Sequence, residues 1–210
     1  MTSKIDLYNL ALGTYIGTRR LSTLTDDVPQ RYAMDAVYDA GLKYMLKRGL
    51  WKFALRSVQL VRDIPLSTFH RQYSYDKPVD FVRISRLSLD VRFTQELMDY
   101  REDQTKIYSD NDPIFLEFVS DDEDYGMNLD AYPEAYEQAV ASWLAYQSTL
   151  EISKDRGDRA DLLTLHKQTL DTARRQDAVD EPVKGKPAGR FTRSRSFGTS
   201  MNGTLRGLRY

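Results

Sequence analysis

The chain has 210 residues, a length that suits one domain, or a domain with an appendage, rather than two large catalytic domains. Its 30 Lys and Arg against 31 Asp and Glu leave a net charge of −1, which excludes a uniformly basic nucleic-acid coat. With no cysteine and two histidines, disulfide frameworks, thiolate metal sites and most histidine-rich metal sites are excluded as well.

Residues 3–16 are predicted as a first helix, with Ser3 as its cap and Ile5, Tyr8 and Leu12 on one face. A polar stretch follows. There Ser22, Thr23, Thr25, Asp26 and Asp27 are expected to supply caps and first-turn negative charge for a second helix over 29–49, opening on Pro29. Its predicted apolar stripe is Ala33, Val37, Ala40, Tyr44 and Met45. Lys43, Lys47 and Arg48 complement the dipole at its C-terminus, and Gly49 is expected to stop it.

From residue 51 the period changes, and a β-rich antiparallel insertion is predicted over 51–120. Leu87, Leu89, Val91 and Phe93 alternate with Ser88, Asp90 and Arg92, the two-residue repeat of a half-buried strand. Further strands are predicted over 56–62, 72–75, 81–84, 106–108 and 114–119. Pro65, Pro78 and Asp112-Pro113 punctuate them, and their shortness suits an antiparallel meander.

The helical period returns at Asp130. Tyr132, Tyr136, Ala139, Trp143, Tyr146 and Leu150 step along one face of a helix predicted over 131–154. Arg156-Gly157-Asp158 breaks it, and a last helix over 158–180 is predicted to turn Leu163, Leu170 and Ala173 inward, antiparallel to its predecessor. The predicted fold class is therefore α+β: a mainly helical bundle with a β-rich antiparallel insertion forming a body over 1–182, and an extended C-terminal arm over 183–210. Trp51, Phe53 and Trp143 are expected core anchors. The 14 tyrosines suit half-wet surfaces and hint at assembly.

The arm differs in composition. It carries Lys184, Lys186, Arg190, Arg193, Arg195, Arg206 and Arg209 with no acidic residue, so seven positive charges there leave −8 on the preceding residues. A Gly- and Ser-rich segment of this kind does not fold by itself. Three readings stay open. It docks into a neighbouring protein through Phe191, Phe197, Leu205, Leu208 and Tyr210 with the cations on acidic surfaces; it neutralises phosphates; or it merely solubilises. Extended, its 28 residues span at most roughly 90–100 Å.

Catalytic signals are weak. The run Asp121-Asp122-Glu123-Asp124 lacks the ligand spacing and glycine of a Ca²⁺ loop and reads as a solvated or partner-facing patch. His70 and His166 are the only neutral-pH bases, and His166 falls on a helix face with Leu163 and Leu170 as a packed residue. No nucleophile elbow, phosphate-binding Gly-rich loop or paired-histidine motif is present. Neither catalysis nor a cofactor or metal is expected. No apolar run approaches the roughly 20 residues of a membrane span, and Met1-Thr2-Ser3-Lys4-Ile5-Asp6 lacks a long apolar signal region, so a soluble protein made in the cytoplasm is expected.

Several strings occur in a telling order. Leu7-Tyr8-Asn9-Leu10-Ala11-Leu12-Gly13 precedes the helix containing 32–48, which leads into Gly49-Leu50-Trp51-Lys52-Phe53-Ala54 and a strand. Then come Tyr73-Ser74-Tyr75-Asp76-Lys77-Pro78-Val79-Asp80-Phe81-Val82-Arg83 and a final helix ending Ala173-Arg174-Arg175-Gln176-Asp177-Ala178. This order resembles the head-to-tail adaptor of short-tailed bacteriophages, the tail tubular protein A family, over about residues 5–180. The resemblance implies a virion protein assembled in the host cytoplasm. It implies a homo-oligomeric ring, usually dodecameric, beneath the portal protein at the capsid vertex, with the tail nozzle protein below. Such a ring continues the channel for double-stranded DNA and helps genome retention and ejection. Residues 183–210 match no motif of that family. The alternative is a nucleic-acid-binding protein that uses the basic arm.

Overall fold

Ser3 opens the first helix of the computed structural model, which describes residues 2–63, 71–153 and 156–179. The Ser3 side chain accepts from the Asp6 amide, and the Asp6 carboxylate accepts from the Ser3 amide at 2.9 Å, a reciprocal cap that satisfies two otherwise orphaned donors. Helix α1 (Lys4–Leu10) continues as a π-helical segment, Ala11–Ile16. Asn9 then clamps the following loop, accepting from the Leu21 amide at 2.7 Å and donating to the Leu21 carbonyl at 3.1 Å.

Helix α2 spans Pro29–Leu46 with Pro29 in its first turn, where its missing N–H costs nothing. Asp26 does not cap it. Its carboxylate accepts from the Ser22 and Thr23 amides, closing the preceding turn instead. The buried face of α2 is Ala33, Met34, Tyr38, Gly41, Leu42, Met45 and Leu46, so the predicted stripe is rotated and Ala40 is exposed. The helix also ends before Gly49. A Cβ at that glycine would sit 2.7 Å from the Trp51 ring, so Gly49 makes room for Trp51 rather than stopping the helix.

A 3₁₀ turn, Lys52–Ala54, leads to the strands β1 (Leu55–Leu60), β2 (Tyr73–Asp76), β3 (Phe81–Ser88), β4 (Arg101–Glu102), β5 (Lys106–Ser109) and β6 (Ile114–Ser120). They do not form a meander. They pair as two antiparallel three-stranded sheets, β1-β6-β3 and β2-β5-β4, because β6 inserts between two strands far from it in sequence. The alternating residues after Ser88 are a turn, not a strand. Asp90 accepts from the amides of Thr94 and Gln95, and Phe93 takes φ 53°. Leu60, Leu87, Ile114, Leu116 and Phe118 from the first sheet pack with Tyr75 and Ile107 from the second as a separate small core.

Helix α3 (Glu134–Ile152) follows a 3₁₀ turn at Leu129–Ala131, and helix α4 covers Arg156–Val179. Helix α3 is the hub. Its buried residues, from Tyr136 and Ala139 through Ser142 and Leu144 to Ser148 and Thr149, lie on more than one face, because α1, α2 and α4 all pack on it. On α4 the inward row is Leu162, His166, Leu170 and Ala173; the predicted Leu163 is only half-buried. The architecture is α+β, a mainly helical body with a β-rich antiparallel insertion, and one compact unit runs to Ala178. Among the described residues no helix is long and apolar enough to cross a membrane. His70 and the arm residues Lys184 through Tyr210 lie outside the described residues.

Candidate interaction surfaces

The junction Gly49–Ala54 sits where α2, β1, α3 and α4 converge. Trp51 is 1% exposed, and its indole Nε1 donates to the Met45 carbonyl at 2.9 Å, satisfying one acceptor at the end of α2. Its ring stands edge-on to Tyr136 at 4.7 Å, and half-buried Phe53 packs on Tyr136 and Tyr132 at 4.8 and 5.0 Å. Half-buried Trp143 lies elsewhere on α3, stacked on Tyr44 at 4.0 Å with His166 at 5.1 Å. Of the three expected anchors, Trp51 is inside the core and the other two stand at its margin.

Cations gather where α2 ends. Arg83 on β3 reaches the Lys47 carbonyl at 3.5 Å, and Arg174 on α4 donates to the Arg48 carbonyl. The Arg48 guanidinium lies 4.3 Å from the Tyr44 ring centre. The physical cause is the negative end of the helix, whose last carbonyls lack partners of their own and attract donors from other elements. Lys47, Arg48, Arg83 and Arg174 are all exposed and form a basic collar on an acidic body, offset in part by Asp171, 3.6 Å from Arg174. Sequence reasoning assigned Lys47 and Arg48 to the helix dipole but had no signal joining them to Arg83 and Arg174.

The acidic run after β6 is drawn back onto the body. Lys43 pairs with Asp121 at 3.3 Å, and Arg56 approaches Asp122 at 4.0 Å while pairing with Asp80 at 2.9 Å. Burial pushes the Asp80 carboxyl up, but the Ser120 hydroxyl and the Arg56 guanidinium outweigh it and hold the group below the usual carboxylate range. Among the described residues no cluster of His, Asp and Glu is placed to hold a metal ion.

Ser142 and His166 form the one serine–histidine pair among the described residues, with Oγ 3.1 Å from Nδ1. Ser142 also bonds the Ala139 carbonyl at 2.8 Å and approaches Thr169 Oγ1 at 2.9 Å, so the group ties α3 to α4. Its serine is fully buried and out of reach of a substrate in this packing. Burial lowers the His166 pKa, and the nearby charges of Arg48 and Arg174 lower it further.

Two clefts flank the N-terminal half of α4. The larger, about 490 Å³, is lined by Tyr146, Leu150, Arg159, Ala160 and Leu163, with the Arg159 guanidinium 4.8 Å from the Tyr146 ring centre. The smaller, about 280 Å³, is lined by Tyr15 and Ile16 from the π-helical segment and by Asp158, Asp161, Leu162 and Leu165 from α4. Sequence reasoning missed both, since a cleft exists only once two elements stand side by side.

The strings that carry the family resemblance all have structural duties. Tyr8 donates to Asp35 at 2.7 Å, Tyr75 donates to the Asn111 carbonyl at 2.7 Å, and the Lys52 amide donates to Asp177 at 3.1 Å. No family model matches the chain, and no curated protein matches it at a significant level.

Proposed function

We propose that this chain is a structural virion protein, a head-to-tail adaptor that forms a ring between portal and tail nozzle and continues the DNA channel. The ordered strings from Leu7 to Ala178 support the reading by resemblance. The observation that carries it physically is the opposition of charge within one polypeptide: −8 on residues 1–182 against seven cations on 183–210. A ring is built from heterologous contacts, in which each subunit presents one surface to the neighbour ahead and a different one to the neighbour behind. A basic arm and an acidic body are such a pair of surfaces, and long-range attraction between them speeds the encounter. The half-buried aromatic groups at Tyr44, Trp143 and Phe53 add amphipathic area of the sort interfaces use.

Particles assembled without this protein are expected to fill with DNA but to lose it and to remain without tails. Normal tailing and infectivity of such particles would remove the proposal.

A second reading has its own observation. The collar of Lys47, Arg48, Arg83 and Arg174, together with the basic arm, suits phosphate contacts. In that case duplex affinity falls steeply as salt rises, with a slope set by the number of phosphates neutralised. An arm docked on protein leaves the purified chain with little duplex affinity at any salt.

A further inference from the structure

The smaller cleft beside α4 presents charge that no described residue answers. Asp158 and Asp161 stand three apart on α4, so their Cβ atoms lie roughly 5–6 Å apart on one face. Both are exposed, and no ion pair joins either to a described cation. Asp158 in the first turn favours the helix dipole, but Asp161 lies beyond that turn and gains nothing from it. Below the carboxylates, Tyr15, Ile16, Leu162 and Leu165 provide an apolar floor. A volume of about 280 Å³ falls under the roughly 300–1,000 Å³ of small-molecule sites and suits one or two large side chains. The matching occupant is therefore an apolar peptide with closely spaced cations.

Residues 205–210 are such a peptide. Leu205-Arg206-Gly207-Leu208-Arg209-Tyr210 has two arginines three apart, each flanked by apolar residues, and no acidic side chain. We infer that the cleft between the π-helical segment and α4 receives the last residues of the C-terminal arm of a second copy of this chain. Leu208 seats on the floor, and Arg206 and Arg209 meet Asp158 and Asp161. Guanidinium–carboxylate pairs are directional, since two parallel N–H donors meet two oxygens. The 25 residues from 180 to 204 span at most roughly 80–90 Å, enough to cross a neighbouring body. The inference rests on the adaptor reading for its choice of a second copy, and it names the receptor that the ring contact requires.

The 210 residues contain no cysteine, which makes the test direct. Full-length Leu165→Cys is mixed with full-length Leu208→Cys under mild oxidation; Leu165 is 37% exposed and tolerates the change. The expected product is a disulfide-linked mixed pair, formed about tenfold more than between Leu208→Cys and the fully exposed Val79→Cys. Adding Asp158→Lys and Asp161→Lys to the first chain lowers the yield about tenfold, and adding Arg206→Glu and Arg209→Glu to the second restores it. A yield no greater than the Val79→Cys control, or one indifferent to charge reversal, overturns the inference. So does a cross-link confined to single chains when both cysteines share one polypeptide diluted with the natural protein. Normal tailing and DNA retention by particles carrying the Asp158→Lys, Asp161→Lys protein would also overturn it while leaving the adaptor reading intact. Mixed cross-links in a protein that particles do not need for tails would retain the cleft and remove that reading.

Discussion

Arg174 on α4 holds the main-chain carbonyl of Arg48 with two hydrogen bonds, Nε at 3.0 Å and Nη2 at 2.6 Å. One cation thus closes the turn after α2 that carries another. The relationship makes sense because the acceptor is a main-chain carbonyl in the turn just after α2 rather than the Arg48 side chain. It also fixes α4 against the junction that leads into β1, where Asp177 receives the Lys52 amide.

Arg174→Ala is expected to cost about 1 kcal/mol, less than the roughly 1.5–3 kcal/mol of a charged hydrogen bond because the side chain is 42% exposed and screened by solvent. Arg174→Lys recovers part of it, since an ammonium donates from a single nitrogen where the guanidinium brings two nitrogens to the same carbonyl. Urea midpoints for the three proteins check this. An unchanged midpoint for the alanine variant would show that the contact contributes nothing.

Trp51→Ala is expected to cost about 3–5 kcal/mol, from lost burial and the cavity left among Tyr136, Phe53 and Met45. Trp51→Phe keeps most of the apolar contact and removes one of two donors to the Met45 carbonyl, which still accepts from the Arg48 amide at 3.0 Å, a loss of about 0.5–1.5 kcal/mol. Denaturant unfolding should rank the two variants in that order.

Gly126→Ala is expected to destabilise by at least about 1–3 kcal/mol. A Cβ there would lie 2.1 Å from the Ser120 carbonyl oxygen and 3.0 Å from Leu46, and the first of these is backbone that ends β6. The Gly126 carbonyl also accepts from the Tyr132 hydroxyl at 2.8 Å, so a shift of the loop disturbs a second element. Wild-type thermal stability in this variant would mean that the loop relaxes freely.

His166 is expected to make the body acid-sensitive above the range in which carboxylates titrate. Its folded-state pKa is depressed, so the unfolded chain binds the proton more readily. The stability this group contributes is fully present above the imidazole's ordinary value near 6.5 and is lost as pH falls through the folded value. His166→Gln should flatten unfolding free energy between pH 7 and pH 5. A slope that survives the substitution would place the sensitivity elsewhere.

How much of this was readable beforehand differs from element to element. The cap at Ser3, the entry at Pro29 and the strand opening at Ile114 were legible because each is written in a few adjacent residues. The period of α3 was legible too, yet its apolar row pointed to Tyr146 and Leu150, of which the first is half-buried and the second exposed, while the structure buries Val140, Ala141, Leu144 and Ser148. A stripe records where side chains are apolar, and α3 has neighbours on several sides that no stripe encodes. The cleft at Asp158 and Asp161 was not legible, because its floor comes from Tyr15 and Ile16, more than a hundred residues away.

By itself, the sequence determined the class of fold, the order of the helices and most of the strands, and the separation of acidic from basic charge along the chain, because composition, caps and periodicity act over a few residues. Tertiary structure decided that β6 lies between β1 and β3, that Gly49 shelters Trp51, and that Arg83 and Arg174 both serve the end of α2. Those outcomes depend on which distant surfaces exclude water together and which unpaired carbonyls meet donors, and both are settled only when the chain closes on itself.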